Sequence, residues 1–78
     1  MKDLVEYIAK SLVDDPTQVE VNEVVAGSTI SMELQVARSD MGRVIGKRGR
    51  VANAMRALLR VPAARQGKRV HLDVIDPQ

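Results

Sequence analysis

The stretch from residue 29 to residue 37 sets the hardest limit on the fold. Ile30, Met32, Leu34 and Val36 alternate with Ser31, Glu33 and Gln35, and a period of two belongs to an extended strand with one dry and one wet face. Such a strand needs neighbours beside it and a cover over its apolar side. Two further runs supply the neighbours. Residues 17–25 set Val19, Val21 and Val25 among polar partners ahead of a turn at Ala26-Gly27-Ser28, and residues 68–75 set Val70, Leu72 and Val74 against Arg69, His71 and Asp73.

The cover is helical. Leu4, Val5, Ile8, Leu12 and Val13 recur at helical spacing over residues 2–13, with Asp3 near the positive end of the helix dipole. Asp14-Asp15-Pro16 stops that helix, because proline lacks an amide donor and turns Asp15 away from helical dihedrals. After Arg38 the period changes again. Ser39 or Asp40 is the expected N-cap of a short helical turn carrying Met41, Arg43, Val44 and Ile45, which Gly46 ends. A longer helix is expected from Arg50 to Ala64, with Val51, Met55, Leu58, Leu59 and Pro62 on one side and with Pro62 able to shorten it. The order is helix, strand, strand, short helix, helix, strand. This is an α+β chain of 78 residues forming a single domain, 1–78, with room for one modest core.

Absences remove whole classes of chemistry. Without cysteine and with one histidine, the chain has no disulfide framework, no thiol nucleophile and no Cys/His metal set. Ser11, Ser28, Ser31 and Ser39 lie in no nucleophile-elbow pattern, and His71 sits in a strand-like run. No catalytic residue, metal or cofactor is expected. No apolar run is long enough to span a bilayer, and the N-terminus lacks the cationic start and unbroken apolar stretch of a signal peptide. The expected setting is the cytoplasm, with no membrane partner.

Charge is divided along the chain. The first 37 residues hold two lysines against seven acids, and the remainder holds ten lysines and arginines against three acids. A basic half of this kind is either a solvated face or a surface for a polyanion.

Residues 44–60, VIGKRGRVANAMRALLR, concentrate that charge between two glycines. A nucleotide P-loop requires four residues before its Gly-Lys and a Ser or Thr after it, whereas Gly42 and Gly46 enclose three and Arg48 follows Lys47. A dinucleotide Gly-x-Gly-x-x-Gly is also missing. What remains is a Gly-x-x-Gly reversal ahead of a helix. Glycine lets a backbone approach a ligand closely, the first amides of a helix attract anions, and Lys47 and Arg48 add positive charge. Val44, Ile45 and Val51 can line a floor for flat bases. The same residues also fit a plain helix-loop-helix turn with an incidental basic tip.

The run VIGKRGRVANAMRAL resembles the KH-domain signature, an Ile-Gly-x-x-Gly loop followed by a basic residue and a helix with apolar residues at fixed offsets. In KH domains that loop clamps the backbone of about four single-stranded nucleotides. The extra N-terminal helix is similar to the type II order, which implies a type II KH fold with a three-stranded mixed sheet and helices packed on one face. A lone KH domain opening MKDLVEYIAKSLVDDP is similar to the KhpA family of small bacterial RNA-binding proteins. By that resemblance Gly46, Lys47, Arg48 and Gly49 match the clamp loop, Ile45 the apolar residue before it and Arg50 the start of the next helix. Val44, Val51 and Asn53 are then implied to line the groove. Both glycines are present and no acid occupies the loop, unlike a degenerate KH fold kept for protein contacts.

The resemblance also implies single-stranded RNA as ligand and a chaperone-like part in post-transcriptional control affecting cell elongation, peptidoglycan synthesis and cell shape. It implies association too, as a homodimer or with a larger KhpB (Jag)-type KH protein. Tyr7 is the one aromatic residue, which disfavours RNA-recognition folds that stack bases on aromatic platforms and makes phosphate contacts dominant. On the long helix Ala54, Ala57 and Val61 widen the apolar arc beyond Val51, Met55, Leu59 and Pro62, either as a broad core face or as a dimer interface. Two functional classes follow: an RNA-gripping protein, or a protein-interaction module whose partner makes most of the RNA contact.

Overall fold

Three strands form one mixed sheet with all the helices on one side of it. The computed structural model describes residues 1–76. Strand β1 (Glu20–Ala26) pairs antiparallel with β2 (Thr29–Gln35), and β2 pairs parallel with β3 (Arg69–Ile75), so β2 is central. A parallel pair needs a long crossover. Helices α2 (Met41–Ile45) and α3 (Arg50–Arg65) make it, while α1 (Lys2–Leu12) lies over β1 and α3 over β3. The expected order and the mixed, one-face-covered sheet are both present.

The period-two reading of β2 holds from Ile30 to Leu34, and Gln35 at the strand end is half-buried. Ile30, Met32, Leu34 and Val36 are buried, and Ser31 and Glu33 are exposed. Val21 and Leu72 flank them on the neighbouring strands, and Met55 and Leu59 of α3 with Val5 and Ala9 of α1 complete the core. Leu4 and Leu12 are instead each 38% exposed, one on the flank of α1 and one at its last position.

Four expectations need correction. Val25 points to the helical side of β1 yet is 52% exposed, because the hairpin end of this edge strand runs past the helices. On α3 the buried stripe is Ala52, Met55, Leu59 and Ala63, and Leu58 is 56% exposed. Small alanines let the helix axis approach the sheet, and Leu58 lies about 100° around the helix from Leu59. Pro62 does not shorten the helix, which continues to Arg65. The amide that proline lacks would have bonded the carbonyl of Leu58, on a solvent-facing turn where water can satisfy it.

Neither Ser39 nor Asp40 caps α2 through its side chain. Ser39 is exposed within a 3-10 turn, Arg38–Asp40. Asp40 is buried, and its carboxylate accepts the backbone N–H groups of Asp14 and Asp15, each at 3.1 Å. Arg43 Nε lies 3.4 Å from the same carboxylate, and Arg43 Nη2 donates to Asp14 at 3.1 Å. A buried charge persists only when paired and hydrogen-bonded. Here it fastens the exit of α1 to α2, the helix that leads into the glycine loop.

Candidate nucleic-acid interface

The loop between α2 and α3 reverses the chain in four residues, and its backbone explains both glycines. Gly46 donates to the carbonyl of Gly42 at 2.9 Å, closing α2, and then adopts φ 76° and ψ 173°. That combination is essentially restricted to glycine. A Cβ at this position would also lie 2.5 Å from Val51 Cγ2 and 2.9 Å from the Val51 nitrogen. Gly49 is left-handed, at φ 75° and ψ 15°, and its N–H donates to the carbonyl of Gly46 at 3.2 Å. Between them Arg48 is left-handed as well, at φ 57° and ψ 25°, a conformation uncommon for a residue bearing Cβ.

This path holds Lys47 and Arg48 exposed at the tip. Neither these two nor the exposed Arg50 makes an ion pair or side-chain hydrogen bond among the described residues. Helix α3 begins directly behind them without a side-chain cap and without an acid in its first turn. Its first amides and dipole therefore add to the positive potential at the loop.

The residues expected around the loop separate into three groups. Ile45 and Val51 are partly buried and pack on the core, leaving an apolar shoulder beside the glycines. Val44 is fully buried, so it cannot touch a base and instead supports that shoulder from beneath. This corrects its expected place in the groove lining: on the short α2, only one side of the Val44-Ile45 pair can face out. Asn53 is exposed one turn beyond Gly49, and its Oδ1 accepts from Arg56 Nη1 at 2.9 Å. Its amide donors are left for the loop side, with Nδ2 within 3.8 Å of where a Gly49 Cβ would sit.

Arg56 escaped the sequence reading. Its Nε donates to the carbonyl of Leu72 at 2.9 Å, so one guanidinium ties α3 to β3 and orients Asn53. The available signal is an arginine three positions after Asn53, on the same helix flank. On another flank Ala54, Ala57, Leu58 and Val61 are exposed, with Leu58 and Val61 each at 56%, so this apolar arc lies outside the core. No helix of the described residues is long and apolar enough to cross a membrane.

Comparison with known proteins gives one consistent result. The family model described as KhpA/KhpB, KH domain, matches residues 2–74. The RNA-binding protein KhpA of Clostridium perfringens is 51% identical over 75 residues, covering 96% of this chain and all of that protein. The proteins of the same name from Borreliella burgdorferi and Aquifex aeolicus are 43% and 42% identical, over 95% and 97% of this chain and 90% and 96% of their own. No solved structure matches significantly.

Proposed function

This chain belongs to the KhpA/KhpB KH-domain family, and on that premise we propose that it binds single-stranded RNA through the loop Gly46-Lys47-Arg48-Gly49. The observation that carries the reading is the backbone at Gly46. A conformation that only glycine adopts readily is kept where it presents two unpaired cations and the start of a helix to solvent. The RNA backbone lies along the loop, with phosphates against Lys47, Arg48, Arg50 and the first amides of α3. Bases rest on the shoulder of Ile45 and Val51, and Asn53 offers its amide to a base edge or sugar. Without aromatic stacking, affinity is dominated by phosphate contacts and falls steeply with salt.

In the cell this makes the chain an RNA chaperone or post-transcriptional regulator in the cytoplasm, without catalytic activity of its own. The family connection supports a part in cell elongation and peptidoglycan homeostasis, acting with a KhpB-type partner or as a homodimer. The exposed arc of Ala54, Ala57, Leu58 and Val61 favours the second reading, a module that chiefly pairs with another protein. Changing both Lys47 and Arg48 to Asp separates the two. The first reading expects a folded variant that no longer shifts single-stranded RNA in a gel. Unchanged RNA binding refutes it.

A further inference from the structure

At the end of α3 away from the loop, a cavity of about 340 Å³ opens against the start of β3. Ala63, Ala64 and Val70 line it together with Arg60, Lys68 and Arg69, and no carboxylate contributes. None of these three cations makes an ion pair or side-chain hydrogen bond among the described residues. Three like charges gathered at one hollow favour an anion between them. The alanines leave the space; a longer side chain at residue 64 would occupy it.

The neighbouring strand edge adds to this. The N–H of Arg69 donates to the carbonyl of Ser28 at 2.7 Å, on the β2 side. By the alternation of backbone groups along a strand, the peptide groups of Val70 and Leu72 face the open edge. The Leu72 carbonyl is taken by Arg56. The N–H of Val70 remains as a donor beside the cavity.

A basic seam joins the hollow to the clamp loop. Asn53, Arg56 and Arg60 recur at spacings of three and four on one flank of α3, and the bond from Arg56 to Leu72 shows that this flank faces β3. From Gly49 to Arg60 the path runs 11 residues along α3, about 16 Å by its rise per residue, and the hollow lies at its far end, past the loop that holds about four nucleotides in a KH domain. We infer that the cavity at Arg60, Lys68 and Arg69 is a second phosphate site, occupied by the backbone of the RNA strand that the loop grips. This rests on the RNA-binding reading and lengthens the footprint beyond the clamp.

Fluorescence anisotropy of the full chain, with a labelled tetrauridylate and a dodecauridylate over a range of salt, tests it. The proteins are the parent, Arg60→Gln with Lys68→Gln, and Ala64→Leu, which fills the hollow without changing charge; circular dichroism checks each fold. The expected result is that both variants bind the tetranucleotide as the parent does and lose the parent's gain on the dodecanucleotide. For the double variant the slope of log affinity against log salt on the longer strand falls by about 1.4, or about 0.7 for each lost phosphate contact. Parent-like binding of the dodecanucleotide by both variants overturns the second site. So does an equal loss on the two lengths, which marks a diffuse field. If the parent binds neither RNA, the RNA-binding reading itself has failed.

Discussion

Replacing Gly46 by alanine adds one methyl group where the backbone tolerates it least. Two costs apply. At φ 76° and ψ 173° a residue with Cβ is strained by about 1–3 kcal/mol. The new carbon also lies 2.5 Å from Val51 Cγ2 and 2.9 Å from the Val51 backbone nitrogen. The side chain can rotate away, but the nitrogen belongs to the first turn of α3 and cannot move alone. Overpacking of this kind costs about 1–3 kcal/mol. Together they come to about 2–6 kcal/mol, against a total stability of about 5–15 kcal/mol for natural domains. Gly49 is the matched control. Its Cβ would meet nothing nearer than Asn53 Nδ2 at 3.8 Å, and its left-handed conformation is one that asparagine visits. Gly49→Asn should therefore cost about 1 kcal/mol or less.

Urea unfolding followed by circular dichroism orders the variants as parent, Gly49→Asn, then Gly46→Ala with a much lower midpoint. Anisotropy with single-stranded RNA reports whether Gly46→Ala escapes its strain by opening the loop. In that case the stability loss shrinks and RNA affinity falls. Either form of loss fits the geometry. A Gly46→Ala protein that matches Gly49→Asn in midpoint and the parent in RNA affinity would refute the account of why this loop carries glycine.

Four further outcomes are expected. Arg48→Gly relieves a left-handed residue and should raise stability by about 1 kcal/mol while weakening RNA binding, both read from the same two assays. Asp40→Ala leaves the amides of Asp14 and Asp15 without their acceptor and should cost about 3 kcal/mol in urea unfolding; Asp40→Asn, which can still accept one of the two, should cost less. Arg56→Met keeps the apolar stem but loses the bonds to Leu72 and Asn53; about 1 kcal/mol of stability should go, together with some affinity for RNA. Val61→Asp lies on an exposed position and should fold within about 0.5 kcal/mol of the parent. On the proposal that this ridge pairs two copies of the chain, sedimentation should show the variant less associated than the parent, and an unchanged sedimentation profile would take the ridge out of self-association.

Local rules determine much of this protein. The alternation in β2 is enough to require a sheet with one covered face, since side chains on a strand must take opposite sides. Asp14-Asp15-Pro16 ends α1 whatever packs against it. The Gly-x-x-Gly loop, its two cations and the helix behind it are contiguous in sequence, and so the central part of the candidate site is legible in the sequence alone.

Other features belong to no single segment. Whether Val44 or Ile45 faces outward depends on how α2 sits on the core, and whether Ala52 or Leu58 is buried depends on how closely α3 approaches β3. Asp40 looks like a helix cap until the turn after α1, 25 and 26 residues earlier in the chain, brings the amides of Asp15 and Asp14 within reach. Arg56 gains its role only because β3 returns beside α3, and the cavity at Arg60, Lys68 and Arg69 exists only between those two elements. Period, turn chemistry and charge act over a few residues and can be read in order. Burial and long-range hydrogen bonds depend on which distant surfaces meet, and the tertiary structure alone decides that.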